Sequence, residues 1–373
     1  MTGDDDLACA AALLDLPGMT PVRLARVLDG LGPALAWHAV RAGTHPGDRS
    51  RRFAASARDM VPMNVLRRYR AAGVSVLLPD RAGYPTALVG DPGAPAVLTA
   101  LGDAAVAEGR PAVAVVGTRS ATPYGASMAA ELGRGLAGSG VVVVSGLALG
   151  IDAAAHAGAL DAGPGAAAPV AVVGTGLDIV YPKGNRVLWD RVAATGAVLS
   201  EAPLGTPALP RVFPARNRII AALADVVVVV ECHGRGGSFH TVEAAARRAG
   251  PGCAVPGSVR SPASRGTNGM LVDGCTPVRD LEDVLTALAL ARGGRAIEPG
   301  RGRSGARAPA VDRRLDGLDR AQRAVWDAVD DTPTTVETVL LRTDLAVATV
   351  AVAVESLVVR GLLLEGAGWW SRA

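Results

Sequence analysis

Five short segments hold the residues best suited to chemistry, and their common theme is recognition of an anion. Gly117-Thr118-Arg119-Ser120-Ala121-Thr122-Pro123-Tyr124-Gly125 combines a glycine that lets backbone approach a ligand, hydroxyls and amides at a helix start, and one guanidinium. Phosphate is the natural ligand of such a turn. Ser145-Gly146, which runs on to Gly150-Ile151-Asp152, and Gly174-Thr175-Gly176 repeat the small-residue pattern, and Tyr181-Pro182-Lys183-Gly184-Asn185 follows soon after. Phe213-Pro214-Ala215-Arg216-Asn217-Arg218 sets a ring beside two arginines and an amide, the chemistry that stacks a base and holds the backbone of a single strand. Arg216 and Arg218 leave a strand or helix differently, so they need not share a target. Gly234-Arg235-Gly236-Gly237-Ser238 adds a last amide-rich turn, and several such turns on one edge can take several phosphates of one strand.

The same chain excludes other chemistries. Among 38 Lys and Arg residues Lys183 is the single lysine, and Gly184 follows it, so a Walker loop ending in Gly-Lys-Ser/Thr is absent. Ile179 occupies the sixth position counted from Gly174, which leaves the G-x-G-x-x-G fingerprint incomplete, and no cofactor is expected. No serine sits in a G-x-S-x-G elbow. Asp152, His156, Asp178, Glu201 and Glu231 stand near strand ends, but a carboxylate there more often caps a helix or partners an arginine than serves as acid or base. Cys232, His233, His240 and Cys253 lack paired ligand spacing, so no metal is expected. A net charge of +3 over 373 residues announces no nucleic-acid partner by itself; placement must do so. The start Met-Thr-Gly-Asp-Asp-Asp lacks the basic end of a signal peptide, and no apolar run approaches the roughly 18 residues of a membrane helix. With four scattered cysteines, this predicts a cytoplasmic chain with free thiols and no membrane partner.

The elements that must position these turns are legible as texture. Residues 1–70 read as short helices, with Leu13, Leu14, Leu24, Val27, Leu28 and Leu31 at helical spacing. Leu16 to Thr20 interrupts them, a turn between core helices that faintly echoes a helix-hairpin-helix. Residues 71–290 carry Val-rich runs at Val113–Val116, Val141–Val144, Val170–Val173, Ala197–Leu199 and Val226–Val230, each followed by glycine or polar residues and then a helix. Such runs predict an α/β doubly wound, mainly parallel sheet covered on both faces, whose ligands sit outside the carboxyl ends of the strands. Residues 291–314 read as a linker of Arg, Gly and Pro, with seven arginines against Glu298 and Asp312. Residues 315–373 predict three helices and a short hairpin, the order of a winged helix. Its third helix, Leu345 to Arg360, is so apolar that protein contact or a structural role fits it better than DNA reading.

The turns, taken in order, resemble the DprA/Smf family of DNA-processing proteins. The resemblance rests on V-A-V-V-G-T-R-x4-Y-G from Val113, S-G-x-A-x-G-I-D from Ser145 and G-x-G-x-D-x-x-Y-P-x-x-N from Gly174. It continues with F-P-x-R-N-R-I-I-A from Phe213, A-V-P-G at Ala254 and G-T-N-x-x-L at Gly266. The resemblance implies an extended Rossmann-like domain, flanked by a helical N-terminal domain and a C-terminal winged helix, that binds single-stranded DNA as a homodimer. It implies a non-enzymatic recombination mediator that protects incoming DNA and loads the RecA recombinase in natural transformation, or competence. Carried over residue by residue, Gly117, Thr118, Arg119 and Lys183 would meet backbone phosphate. Phe213, Arg216, Asn217 and Arg218 would shape the pocket for bases and backbone. Tyr124, Gly146, Asn185, Arg235 and Gly237 complete the expected single-stranded-DNA site. Gly236 stands where the family commonly has serine, and Phe239 is larger than the family's residue.

A second reading stays open on the residues alone. A nucleotide-processing enzyme of the phosphoribohydrolase type uses a related Rossmann-like core and carries P-G-G-x-G-T-x-x-E, which Arg235 to Glu243 half matches.

Overall fold

The computed structural model describes residues 3–48, 51–79, 81–210, 212–234, 252–293, 317–329, 334–366 and 369–372. The chain divides into two compact units, Met1–Arg301 and Gly302–Ala373. The first opens with helices α1 (Gly3–Asp15), α2 (Pro21–Leu28), α3 (Pro33–Ala42), α4 (Ala54–Asp59) and α5 (Pro62–Ala71). Proline at the first turn starts three of them, where its fixed φ suits a helix and its missing N–H costs nothing. The Leu16–Thr20 segment is the α1–α2 turn, and Thr20 caps α2 by accepting from the Arg23 amide at 3.3 Å.

Strands and helices then alternate: β1 (Val74–Leu77), β2 (Leu98–Gly102), β3 (Ala112–Val116), α6 (Pro123–Gly138), β4 (Val142–Ser145), α7 (Ile151–Leu160), β5 (Val170–Val173) and α8 (Arg186–Thr195). They continue with β6 (Ala197–Ser200), α9 (Val212–Leu223), β7 (Val226–Val229), β8 (Cys253–Ala254), α10 (Arg265–Val272), β9 (Thr276–Pro277) and α11 (Leu281–Ala291). One nine-stranded sheet results, in the order β1-β2-β6-β5-β4-β3-β7-β8-β9. It is parallel from β6 to β9, as the Val-rich runs predicted, because both faces are covered. Val113, Val115, Val143 and Val228 turn to one face, in the cluster formed with α6, α7 and α11. Ala114, Val116, Val142, Val144 and Val172 turn to the other, with α9. The N-terminal helices share a third cluster with Val173, Val198 and Trp189, so their core is continuous with the sheet's.

The antiparallel pairs β1–β2 and β2–β6 were not legible in the sequence. Leu98–Gly102 reads Leu-Thr-Ala-Leu-Gly, with neither β-branched enrichment nor strict alternation, and tertiary pairing decides its state.

The second unit runs α12 (Arg320–Ala328), β10 (Thr334–Thr335), α13 (Val336–Thr343), α14 (Val347–Val359), β11 (Leu363–Gly366) and β12 (Trp369–Arg372). Its strands pair antiparallel in the order β10-β12-β11. The hairpin, expected from Gly361 to Trp370, lies about two residues later, as β11 and β12, and β10 is too short to read from sequence. α14 buries Val350, Ala353, Val354 and Leu357 and leaves Val347, Val352 and Val359 exposed; no cation lies within it.

Candidate nucleic-acid interface

The predicted turns meet at the carboxyl ends of β3, β4 and β5, where parallel strands deliver their following residues to one edge. A cleft of about 40 Å³ opens there between Arg119, Gly146, Gly174, Tyr181, Phe213 and Arg216. Small-molecule pockets begin at about 300 Å³. The cleft has room for a group of phosphate size and does not enclose a whole nucleotide.

Three groups form its wall. The Arg119 guanidinium lies 4.7 Å from the centroid of the Phe213 ring, and the Tyr181 ring lies 5.5 Å from it at a tilt of 35°. Tyr181 is 41% exposed, so this face is open to a stacking partner. Lys183 begins the short 3-10 turn Lys183–Asn185 directly after it and is exposed. Asn185 holds that turn in place, its side-chain amide donating to the carbonyls of Leu147 at 2.9 Å and Ala148 at 3.2 Å. Among the described residues, neither Arg119 nor Lys183 has a carboxylate within salt-bridge distance. Both charges stand ready for an external anion.

The backbone amides of these turns are used differently from what their glycines suggest. The Glu231 carboxylate, buried behind β7, accepts from the Thr122 amide at 2.9 Å and the Thr122 hydroxyl at 2.5 Å, at the N-terminus of α6. The Glu231 carbonyl also accepts from the Thr118 amide at 2.9 Å. Gly117 lies so close to this strand end that a methyl group on it would stand 2.5 Å from Ile151 and 2.9 Å from the Glu231 carbonyl. Asp152, in the first turn of α7, lies 3.6 Å from the Arg216 guanidinium; burial pushes its carboxyl above the ordinary range, and Arg216 opposes that shift. Glu231 thus occupies the α6 start, and Asp152 adds a carboxyl to the first turn of α7.

Arg216 and Arg218 separate as their spacing implied. Arg216 is buried: its guanidinium donates to the Val172 carbonyl and, at 3.1 Å, to Asn217, and it lies 3.6 Å from Asp152. It reaches the cleft floor only because Gly146 has no side chain; a methyl group there would overlap the guanidinium. Asn217 is buried beside it. Arg218 points elsewhere, in a bidentate pair with Glu201 at 2.8 and 2.5 Å. Tyr124 is half-buried and donates its hydroxyl to the Pro256 carbonyl at 3.0 Å, next to the cleft-forming turn and outside the cleft lining. Arg235 and Gly237 lie outside the described residues. Tyr181 was missing from the predicted set, although its exposed ring beside a lone lysine was the available signal.

The acid/base candidates are dispersed. Asp152, Glu201 and Glu231 are committed to caps and arginines, and Asp178 accepts from the Gly205 amide at 2.8 Å. His156 is fully buried, which pushes its pKa down to about 3. Among the described residues no three of His, Cys, Asp and Glu gather as a metal site, and no helix is long and apolar enough to cross a membrane.

Known proteins with this arrangement are specific. Residues 75–289 match the family model described as DNA recombination-mediator protein A. A DNA processing protein DprA of Mycobacterium tuberculosis is 41% identical over 236 residues, covering 63% of this chain and 57% of that protein, so the chain matches less than two thirds of that relative's length. The solved DNA processing protein A of Streptococcus pneumoniae aligns with a TM-score of 0.64 and 32% identity, over 73% of this chain and 95% of that one. The protein from Helicobacter pylori, solved for its single-stranded DNA binding mode, aligns with a TM-score of 0.51 and 30% identity, over 58% of this chain and 96% of that one. With more than half its length matched and the ordered turns in place, the chain belongs to the DNA recombination-mediator protein A family, that of the DprA and Smf DNA-processing proteins.

Proposed function

We propose that this protein binds single-stranded DNA along the carboxyl edge of its sheet and acts there as a recombination mediator without catalysing a reaction of its own. The observation that carries the reading is the exposed Tyr181–Phe213–Arg119 contact beside the unpaired Lys183. Rings offer a face to any base, and two free cations neutralise backbone phosphates. Arg216 lines the floor of the cleft, with Asp152 3.6 Å behind its guanidinium. A duplex keeps its bases stacked inside and presents no ring to Tyr181, so single strands are preferred. The single-stranded DNA binding of the Helicobacter pylori relative supports the same reading.

In the cell, the bound strand is incoming DNA that the protein, as a cytoplasmic homodimer, shields and passes to a RecA recombinase during natural transformation. The second unit serves as a winged helix whose apolar third helix meets protein in preference to bases, since α14 offers no cation to phosphate. Arg119→Ala and Lys183→Ala should each weaken binding of a labelled oligonucleotide and lower the salt slope of log K by about 0.7, the share of one phosphate on a single strand. Unchanged titrations for both variants would sink the site assignment.

A further inference from the structure

Two sequence motifs, A-V-P-G at Ala254 and G-T-N at Gly266, play no part in the cleft, yet they frame a loop on the same edge. Asn268 locks its base, donating to the Gly257 carbonyl at 3.0 Å and accepting from the Gly257 amide at 3.2 Å. On one side Tyr124 ties Pro256 to the α6 start; on the other the Cys232 amide donates to Ala263 at 2.8 Å, and the Gly266 amide donates to Cys232 at 2.7 Å. The loop is thereby fastened to Cys232, the neighbour of Glu231, and to the helix that follows the Arg119 turn. Its tip is a turn closed by the Ser261 amide on the Ser258 carbonyl at 3.0 Å, and it presents Val259, 91% exposed, beside exposed Arg260. Arg265, at the start of α10, is exposed too.

The charge on this loop is unbalanced. Residues 252–272 contain Arg260 and Arg265 and no Asp or Glu. Among the described residues neither arginine has a carboxylate within salt-bridge distance. The sheet order β5-β4-β3-β7-β8, parallel throughout, sets Lys183, Arg119 and Arg260 after the carboxyl ends of β5, β3 and β8. Four interstrand steps of about 4.8 Å span about 19 Å. A strand stacked at about 3.4 Å per nucleotide covers that distance in about six nucleotides.

We infer that the loop from Gly257 to Arg265 is a second phosphate contact, which carries the DNA strand from the Arg119 cleft across β7 and out over β8. The inference rests on the single-stranded DNA reading above and adds the direction and length of the path. Arg260 and Arg265 meet backbone phosphates, and Val259 packs against sugar or base beside them.

The test uses the full chain with oligothymidylates of about 2 and about 15 nucleotides, the shorter unable to span the two interstrand steps, about 10 Å, between Arg119 and the loop. Arg260→Ala with Arg265→Ala should leave the short oligonucleotide bound as before, weaken the long one about ten-fold and lower its salt slope by about 1.4. Arg260→Lys with Arg265→Lys should restore the slope, which separates charge from a fold effect. A long-oligonucleotide titration unchanged by the alanine pair and by Arg260→Glu with Arg265→Glu would overturn the inference while the cleft reading stands. Wild-type protein that binds neither oligonucleotide would overturn both.

Discussion

Removing the Glu231 carboxylate tests whether the phosphate-like turn after β3 is held from inside. Glu231→Ala deletes two charge-assisted hydrogen bonds, from the Thr122 amide at 2.9 Å and the Thr122 hydroxyl at 2.5 Å. Hydrogen bonds to charged groups contribute about 1.5–3 kcal/mol each, so the gross loss is about 3–6 kcal/mol. Thr122 is half-buried, so water can replace part of what is lost, and the buried carboxylate no longer needs desolvating. A net loss of about 2–3 kcal/mol remains, or about 4–9 °C in Tm at about 2–3 °C per kcal/mol for a unit of this size. Glu231→Gln keeps one acceptor and the shape and should cost about 1 kcal/mol, mainly the charge at the α6 N-terminus. Arg119 lies three residues before Thr122, so the loosened turn should bind single strands about five-fold more weakly in the alanine variant, about 1 kcal/mol. Thermal denaturation and an oligonucleotide titration on the same preparations read both effects. A Glu231→Ala protein with wild-type Tm and wild-type affinity would refute the claim that this carboxylate anchors the turn.

Three further outcomes follow from the same geometry. Lys183→Ala should weaken binding and lower the salt slope by about 0.7, whereas Lys183→Arg, titrated alongside, reports whether the compact ammonium or only its charge is required. Gly146→Val should displace the Arg216 guanidinium from Val172 and Asp152, strand a buried charge and cost about 3–5 kcal/mol in denaturant unfolding; near wild-type stability would mean the guanidinium has another seat. His156 has its folded pKa pushed down to about 3 from the ordinary 6.5, so its contribution is complete above pH 6.5 and is lost as pH falls toward 3 because the unfolded chain takes up the proton. Between pH 7.5 and 5.5 the loss should be about 1.4 kcal/mol, and His156→Leu should remove that component of the pH slope, as unfolding curves at the two pH values will show.

The parallel centre of the sheet was legible because β3, β4, β5 and β7 are short, Val-rich and followed by glycine or polar residues, a pattern that burial on both faces imposes. The edges were not. β1 and β2 owe their state to antiparallel partners far along the chain, and β8 and β9 have two residues each. Within the site, sequence spacing correctly split Arg216 from Arg218, since two positions on a helix face different ways. It could not reveal that Gly146 opens the space into which Arg216 turns, because that contact joins residues 70 apart on different elements. Glycines beside helix starts suggested amides free for phosphate. Glu231, readable only as a cap or arginine partner, occupies the α6 start instead, and Arg119 and Lys183 are the proposed anion contacts.

The central claim is that exposed rings and two unpaired cations make this edge a single-strand site. A labelled oligonucleotide titrated as single strand and as duplex, each at about 50 and about 200 mM salt, tests it most directly. Tighter binding of the single strand is expected at both salts, with affinity falling as salt rises and most of the preference lost in Tyr181→Ala with Phe213→Ala. Equal affinity for duplex and single strand, or binding indifferent to salt, would contradict it.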